Sequence, residues 1–349
     1  MHVFAHITVL AADVAALPAQ LGEIFYTIVF PILLIAGVGW LIQRRLGLDM
    51  PTMTRLNFYF LMPAMAYFSI VTSPISGTDL LKVVVFTLCM IAANGLLALG
   101  VARVRRVSRE HRNTMLMTTM FYNSGNYGLP LQKLAFENVG RGDQAFFCQI
   151  FVMLTQNIVN FTLGIWLAAT GRRQVHWKQN LLHILKFPPV YALTAGLLTL
   201  QVRHWLGENT PTVVDALAPF RTAIVYLKEA FIAVALCTLG AQLALVRRQV
   251  HNYPVKLSVV LKLLVAPGIA VGLTYLFGLV VPLDARLAQI LIVSASVPTA
   301  VNVMLLCLEF DNNPDYAARA VFYSTMLSPV TVTLTIFIAK GNFLAHLVG

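Results

Sequence analysis

Charge is scarce in this chain. Asp, Glu, Lys and Arg make up 11% of its 349 residues, where a soluble domain carries about 25%. With 58% hydrophobic residues and a mean hydropathy of +0.76, it has more apolar surface than one water-soluble core could bury. The chain therefore belongs in a bilayer. Cysteine is also sparse: Cys89, Cys148, Cys237 and Cys307 each stand alone in or beside an apolar stretch. That spacing excludes a disulfide framework or thiolate metal site and leaves them as small apolar filler. No His/Cys/Asp cluster has metal-ligand spacing, and no glycine-rich phosphate loop follows a strand. Ser124 and Ser324 have no base evident near them. An enzyme is not expected, nor any cofactor beyond a coupling H+ or Na+. Long linkers, low-complexity stretches and an output domain are missing too. Residues 1–22 have no basic start and carry Asp13 within their apolar part, so they make a poor signal peptide and are expected to form a tail.

What is present is a series of apolar windows about 20 residues long, the length needed to cross about 30 Å of hydrocarbon. Roughly ten can be marked. They run near Ile24–Ile42, Leu56–Val71, Leu81–Val101, Thr114–Phe136, Ala145–Ala169, His183–Gln201, Leu217–Leu245, Leu257–Val280, Leu287–Leu308 and Ala317–Ala339. The net charge of +11 is placed for topology rather than for nucleic acid. Arg44, Arg45 and Arg55 follow the first window; Arg103, Arg105, Arg106, Arg109 and Arg112 the third; Arg172, Arg173 and Lys178 the fifth; Arg247 and Arg248 the seventh. The intervening connections carry Asp79, Glu137, Asp143, Glu208, Asp215 and Asp284. By the positive-inside rule, both termini lie outside. Glu309, Asp311 and Asp315 make the last inner turn acidic, but acids weigh little in topology.

Two windows are interrupted near their middles. Asn123-Ser124-Gly125-Asn126-Tyr127-Gly128-Leu129-Pro130 places two glycines and a proline in the fourth. Pro130 has no N–H, so the carbonyl of Asn126 loses its helical partner. Ser294-Ala295-Ser296-Val297-Pro298-Thr299-Ala300-Val301-Asn302 interrupts the ninth. In hydrocarbon, such breaks survive only where they line a cavity or are buried in protein. The basic connection at 171–182 divides the windows five and five, and each break falls in the fourth of its half. Five being odd, the second set must enter the membrane in the opposite sense. We read an all-α polytopic membrane protein: a tail at 1–22, a first repeat at 23–170, a cytoplasmic linker at 171–182 and an inverted second repeat at 183–341.

Prolines fit the first turn of a helix, so Pro130 and Pro298 are expected to head half-helices whose positive N-terminal ends meet at mid-membrane. Such ends favour an anion but cannot alone offset its dehydration. Amide donors are expected from Asn123, Asn126 and Asn302, and further ones from Gln156 and Asn157 of the fifth window. Ser124, Gly128 and Thr299 complete the candidate substrate site. Glu229, beside Lys228 in the seventh window, is either a coupling carboxylate or a residue snorkelling to the interface. Lys186 and Lys262 are expected near the inner interface.

At these residues the chain resembles the auxin efflux carrier family of permeases. Asn123–Pro130 resembles that family's first-half signature, and Val297-Pro298-Thr299-Ala300-Val301-Asn302 its second-half counterpart. Weaker matches are Leu61-Met62-Pro63-Ala64, Pro188-Pro189, and Ser324-Thr325 with Ser328. The resemblance implies a bile-acid-symporter-like fold, with discontinuous fourth and ninth helices crossing at the transport site. It also implies a mobile core moving against a scaffold, and organic anions as cargo. Two features depart from it: the large loop of the plant carriers is missing, which points to a bacterial member in the inner membrane, and Ala233 stands where a proline would kink the seventh span. The expected function is efflux-type secondary transport of small mono- or dicarboxylates. A sodium-coupled symporter and a non-transporting sensor or scaffold are the alternatives. Expected partners are the organic anion and the lipid bilayer, with a homodimer left open and no nucleic acid.

Overall fold

The computed structural model describes residues 17–72, 75–169, 188–206, 218–246 and 253–341. The linker at 171–182, Lys186, most of the expected tail and both chain ends lie outside the described residues. In chain order the helices are α1 (Leu17–Leu46), α2 (Met50–Leu56, Asn57–Leu61 and Met62–Thr72 in succession), α3 (Gly77–Val104) and α4 (Arg109–Met120). Then come α5 (Ser124–Gly128 running into Leu129–Glu137), α6 (Gly142–Ala169), α7 (Pro188–Leu206) and α8 (Ala218–Leu245). The last are α9 (Pro254–Val280), α10 (Ala285–Ala295), α11 (Val301–Glu309) and α12 (Pro314–Lys340). Six of these, α1, α3, α6, α8, α9 and α12, are long and apolar enough to cross a membrane. The chain is an all-helical polytopic membrane protein. Residues 17–22 extend α1 instead of belonging to a tail, because Leu17–Gly22 already has helical backbone.

The helices start where the local chemistry supplies a cap. Asp49, Ser76, Ser108 and Asp284 each accept a backbone N–H from the first turn of the helix that follows. The Thr52 hydroxyl and amide that hold Asp49 also keep its carboxyl below its usual range. Polarity then runs opposite to that of a soluble protein. Leu96, Leu198, Phe220, Leu279 and Val330 face outward, while Asn94, Gln132, Gln149, Lys262, Ser294 and Ser324 are buried. An apolar outer face over a polar interior is what lipid demands of a helical bundle.

Proline shapes the helices in a way composition does not reveal. The π turns Phe25–Val29, Asn57–Leu61, Ser124–Gly128 and Leu261–Val265 each end two residues before a proline, at Pro31, Pro63, Pro130 and Pro267. The wider i→i+5 pitch accommodates a ring that would clash with the i−4 carbonyl of a regular helix. In α12, Pro329 is absorbed differently: the Ser328 hydroxyl donates to Thr325 O, the carbonyl the proline leaves unpaired, at 2.8 Å. Where Ala233 replaces the expected proline, α8 runs as unbroken α-helix.

Packing divides the bundle into two groups. One is α1, α2, α7 and α8, in which α1 lies along α8 and α2 along both α7 and α8. The other gathers α3 to α6 and α9 to α12. At the α1–α8 crossing, backbone touches backbone. A Cβ on Gly240 would stand 1.8 Å from Ala36 O, and one on Gly39 would stand 2.2 Å from Cys237 O. Only glycine allows that approach, the usual device for close helix pairs in membranes.

Candidate functional site

The chain between α4 and α5 and the chain between α10 and α11 are extended, and they meet. Tyr122 and Thr299 form an isolated antiparallel bridge. The Asn123 amide donates to Pro298 O at 2.8 Å, and the Ala300 amide donates to Phe121 O at 3.1 Å. Each break thus satisfies the other's orphaned backbone, as irregular chain at membrane depth requires. Side chains complete the set. Gln156 Oε1 accepts the Tyr122 amide at 3.1 Å, Ser324 Oγ accepts the Thr299 amide at 3.1 Å, and the Thr299 hydroxyl donates to Thr118 O at 2.9 Å. Behind them, Gln149 donates to Ser124 O at 3.2 Å and accepts from the Ser294 hydroxyl at 2.8 Å.

The prolines are only partly where the sequence placed them in this geometry. Pro130 lies in the first turn of the regular α-helix Leu129–Glu137, as expected, but helical backbone already runs upstream of it, and Pro298 heads no half-helix. The helical turn begins at Ser124, with Pro130 six residues inside, and α11 begins at Val301, three residues after Pro298. The reason is the π turn, which carries helix through the position before Pro130. At Pro298 the reason is the backbone bridge at Thr299, which keeps the chain out of helix as far as Ala300. Pro298 serves through its carbonyl.

A cavity of about 580 Å³ opens beside the crossing. Asn123, Ser124, Asn126, Gln156, Asn157 and Asn302 line it, bringing together six of the expected residues. Gly128, Pro130, Pro298 and Thr299 do not line it. Gly128 packs instead, for a Cβ there would lie 2.4 Å from Gln149 Nε2. Glu229 lies on an exposed part of α8 away from the cavity, and Lys228 Nζ sits 3.9 Å from the centroid of the Phe68 ring. Lys262 is not at an interface either: it is wholly buried in the α9 π turn.

Two helix N-termini open on this space. Ser124, Gly125 and Asn126 begin α5, Val301 and Asn302 begin α11, and all five are in the wall. The first N–H groups of a helix have no intrahelical acceptor, and each end carries about half a positive charge. Asn123 Nδ2 and Gln156 Nε2, buried in the same wall, have no hydrogen-bond partner. Asn126 is held between the two packing groups: Asn57 Nδ2 donates to its Oδ1 at 2.9 Å, and its own Nδ2 lies 3.5 Å from Gln242 Oε1. Arg55 and Glu309 bring opposite charges to the wall, and Glu309 is about 12 Å from the start of α11 by helix rise. Among the described residues no group of three His, Cys, Asp or Glu could hold a metal ion.

Sequence reasoning missed Asn57, Asn160, Gln242 and Arg55 in the site. Asn57 and Asn160 each open a π turn that faces the cavity, yet no local signal separates these turns from ordinary helix. Gln242, a single amide in an apolar helix, was a usable signal.

A family described as membrane transport protein matches residues 24–336. The chain is 24% identical over 315 residues to a protein called an uncharacterized transporter in Methanothermobacter thermautotrophicus, covering 88% of this chain and 95% of that relative. The chain belongs to the membrane transport protein family, that of the auxin efflux carriers.

Proposed function

We propose that the protein is a secondary carrier for small organic anions, mono- or dicarboxylates, working by alternating access around the paired breaks. The observation that carries this reading is the cavity wall, where two helix N-termini and two partnerless amide NH2 groups converge. All are donors or partial positive charges. Each helix end contributes about 0.3–2 kcal/mol toward an anion, and hydrogen bonds to a charged oxygen are stronger than neutral ones. A volume of about 580 Å³ is within the range of small-ligand sites and suits a compact acid.

The proposed architecture is ten spans in two inverted five-span repeats, with α4/α5 and α10/α11 as the discontinuous pair. The antiparallel meeting of the breaks supports it, since a two-fold axis in the membrane plane would relate them in that way. The group α3–α6 with α9–α12 would move against α1, α2, α7 and α8. Because the cavity reaches Arg55, on the basic side of the chain, we read the state as open to the cytoplasm, with both termini outside. This orientation is tested by single cysteines in a cysteine-free background. Val139→Cys, between α5 and α6, should react with an impermeant maleimide in intact cells, and Leu46→Cys only after the membrane is opened. The reverse pattern would invert the topology and with it the direction of access.

The cargo's sign is tested on purified protein by thermal shift. A panel of mono- and dicarboxylates should contain members that raise Tm, and their uncharged amides should not. Asn302→Ala, exposed to the cavity and removing a side chain that makes none of the crossing bonds, should weaken that shift about tenfold in apparent Kd, the loss of one charge-assisted hydrogen bond. Its ligand-free Tm should stay close to that of the parent. Asn126→Ala should also lower the ligand-free Tm, since Asn57 loses its acceptor. Tight binding of a cationic or neutral ligand that Asn302→Ala leaves unchanged would overturn the anion reading.

A further inference from the structure

Lys262 is a buried lysine that the proposed transport site does not use. Its side chain has no exposed surface, and it lies in the π turn Leu261–Val265 of α9. Nζ is 3.4 Å from Ala295 O and 4.1 Å from the centroid of the Tyr122 ring. Ala295 is the last residue of α10, so this carbonyl belongs to the negative end of a half-helix. Tyr122 is one of the two bridge residues of the crossing and also lines the cavity. Lys82 and Lys133 pair with carboxylates, whereas among the described residues no carboxylate pairs with Lys262. An ionisable side chain this deep is costly to insert, which makes it a candidate for function.

The surroundings say what kind of function. Broken-helix carriers hold their coupling cation with unwound carbonyls and the C-terminal ends of half-helices. Such an end and an aromatic face are what Lys262 Nζ occupies, and an aromatic face also attracts cations. The helix that carries the lysine is fixed below it. Four residues earlier, Ser258 Oγ lies 2.7 Å from Tyr316 OH, and that hydroxyl donates to Pro254 O at 2.7 Å. Ser258 also meets the Thr118 hydroxyl at 3.2 Å, tying α9 to α4.

We propose that the Lys262 ammonium is a tethered cation: it fills the place at the α10 terminus that a free sodium ion would otherwise take, so the protein binds no sodium. Protonated, the lysine puts a positive charge behind the Tyr122 wall of the cavity without a free cation arriving in each cycle. Resting on the anion-carrier reading, this makes the cargo's own charge the one moved, so that membrane potential and the cargo gradient set the direction.

The test uses sodium alone, with no organic anion, and so stands or falls apart from the carrier reading. Purified full-length protein is melted in NaCl and in choline chloride at equal ionic strength, and radiolabelled sodium binding is measured by equilibrium dialysis. The wild type should melt alike in both salts and show no saturable sodium binding. Lys262→Ala should melt lower in choline chloride, regain at least half of the loss in NaCl, and bind sodium saturably. If Lys262→Ala does not fold, Lys262→Gln, which keeps most of the volume, is measured for the same recovery. Saturable sodium binding by the wild type would overturn the proposal while leaving an acid-induced Tm shift untouched. Variants that sodium does not rescue, or that melt like the wild type and ignore sodium, would overturn it too.

Discussion

Gly240→Val should give no monodisperse protein after extraction, while Gly37→Ala, next to Ala36 but on the outward face of α1, should purify like the parent. At Gly240 the added carbon meets Ala36 O at 1.8 Å, Ala36 C at 2.6 Å and Ala36 Cα at 2.9 Å. All three are backbone atoms, so no rotamer change relieves the clash. Overpacking by ordinary side chains costs about 1–3 kcal/mol, and here two rigid helices would have to separate. Gly39 makes the reciprocal approach to Cys237, so moving α1 away from α8 at one glycine strips contact at the other. Gly37 has nothing within 4 Å of its added carbon and faces outward. There alanine should gain about 1 kcal/mol of helix propensity. Size-exclusion profiles of the two variants check the argument. A monodisperse Gly240→Val with wild-type Tm would mean that α1 and α8 are less closely joined than the glycines indicate.

Pro130→Ala should separate stability from binding. Alanine restores an N–H, so the π turn Ser124–Gly128 can relax to α-helix, at a gain of order 1 kcal/mol for each hydrogen bond recovered. The recovered backbone bonds and the lost Asn57–Asn126 bond oppose each other, so the ligand-free Tm should stay within a few degrees of the parent's. One residue removed from a π turn rotates everything before it by about 100°, the angle per residue of an α-helix. Asn126 would turn away from Asn57 and Gln242, and the amides at Ser124–Asn126 would leave their present direction. The acid-induced Tm shift should fall at least to the level of Asn302→Ala. A variant that keeps the full acid response would show that Pro130 matters for packing alone.

The fold was legible in outline because the strongest signals were one-dimensional: scarce charge, windows of spanning length and two interruptions. Windows for α3, α8 and α12 came close to their final bounds, since apolar length is itself the constraint lipid imposes. Six residues of the cavity wall were legible for a related reason. Asn123, Ser124, Asn126 and Asn302 lie within or beside the breaks, where a polar side chain in an apolar segment stands out, and the nearby fifth window supplied Gln156 and Asn157. What was not legible depends on pairing. Thr299 and Pro298 looked like lining but bond to Thr118, Ser324 and Asn123, contacts between segments far apart in the chain. Lys262 looked interfacial because it stands near the inner end of the window Leu257–Val280, and only the assembled bundle shows the Ala295 terminus beside it. The π turns were missed because the eye counts prolines as stops, whereas the helix widens one turn earlier and continues.

The bridge between Tyr122 and Thr299 also has a consequence for biosynthesis. The first break leaves the ribosome long before its partner exists. Until the second arrives, the Asn123 amide and the Phe121 carbonyl have no protein acceptor or donor waiting for them. A nascent chain ending after α6 therefore cannot settle in lipid as it will finally stand. Those groups must be kept wet or held by the insertion machinery. The crossing is accordingly a late event of assembly, and it serves as its checkpoint: only a chain carried through α11 can close it. Either half expressed alone should be degraded, and co-expression of the two halves as separate chains should rescue both.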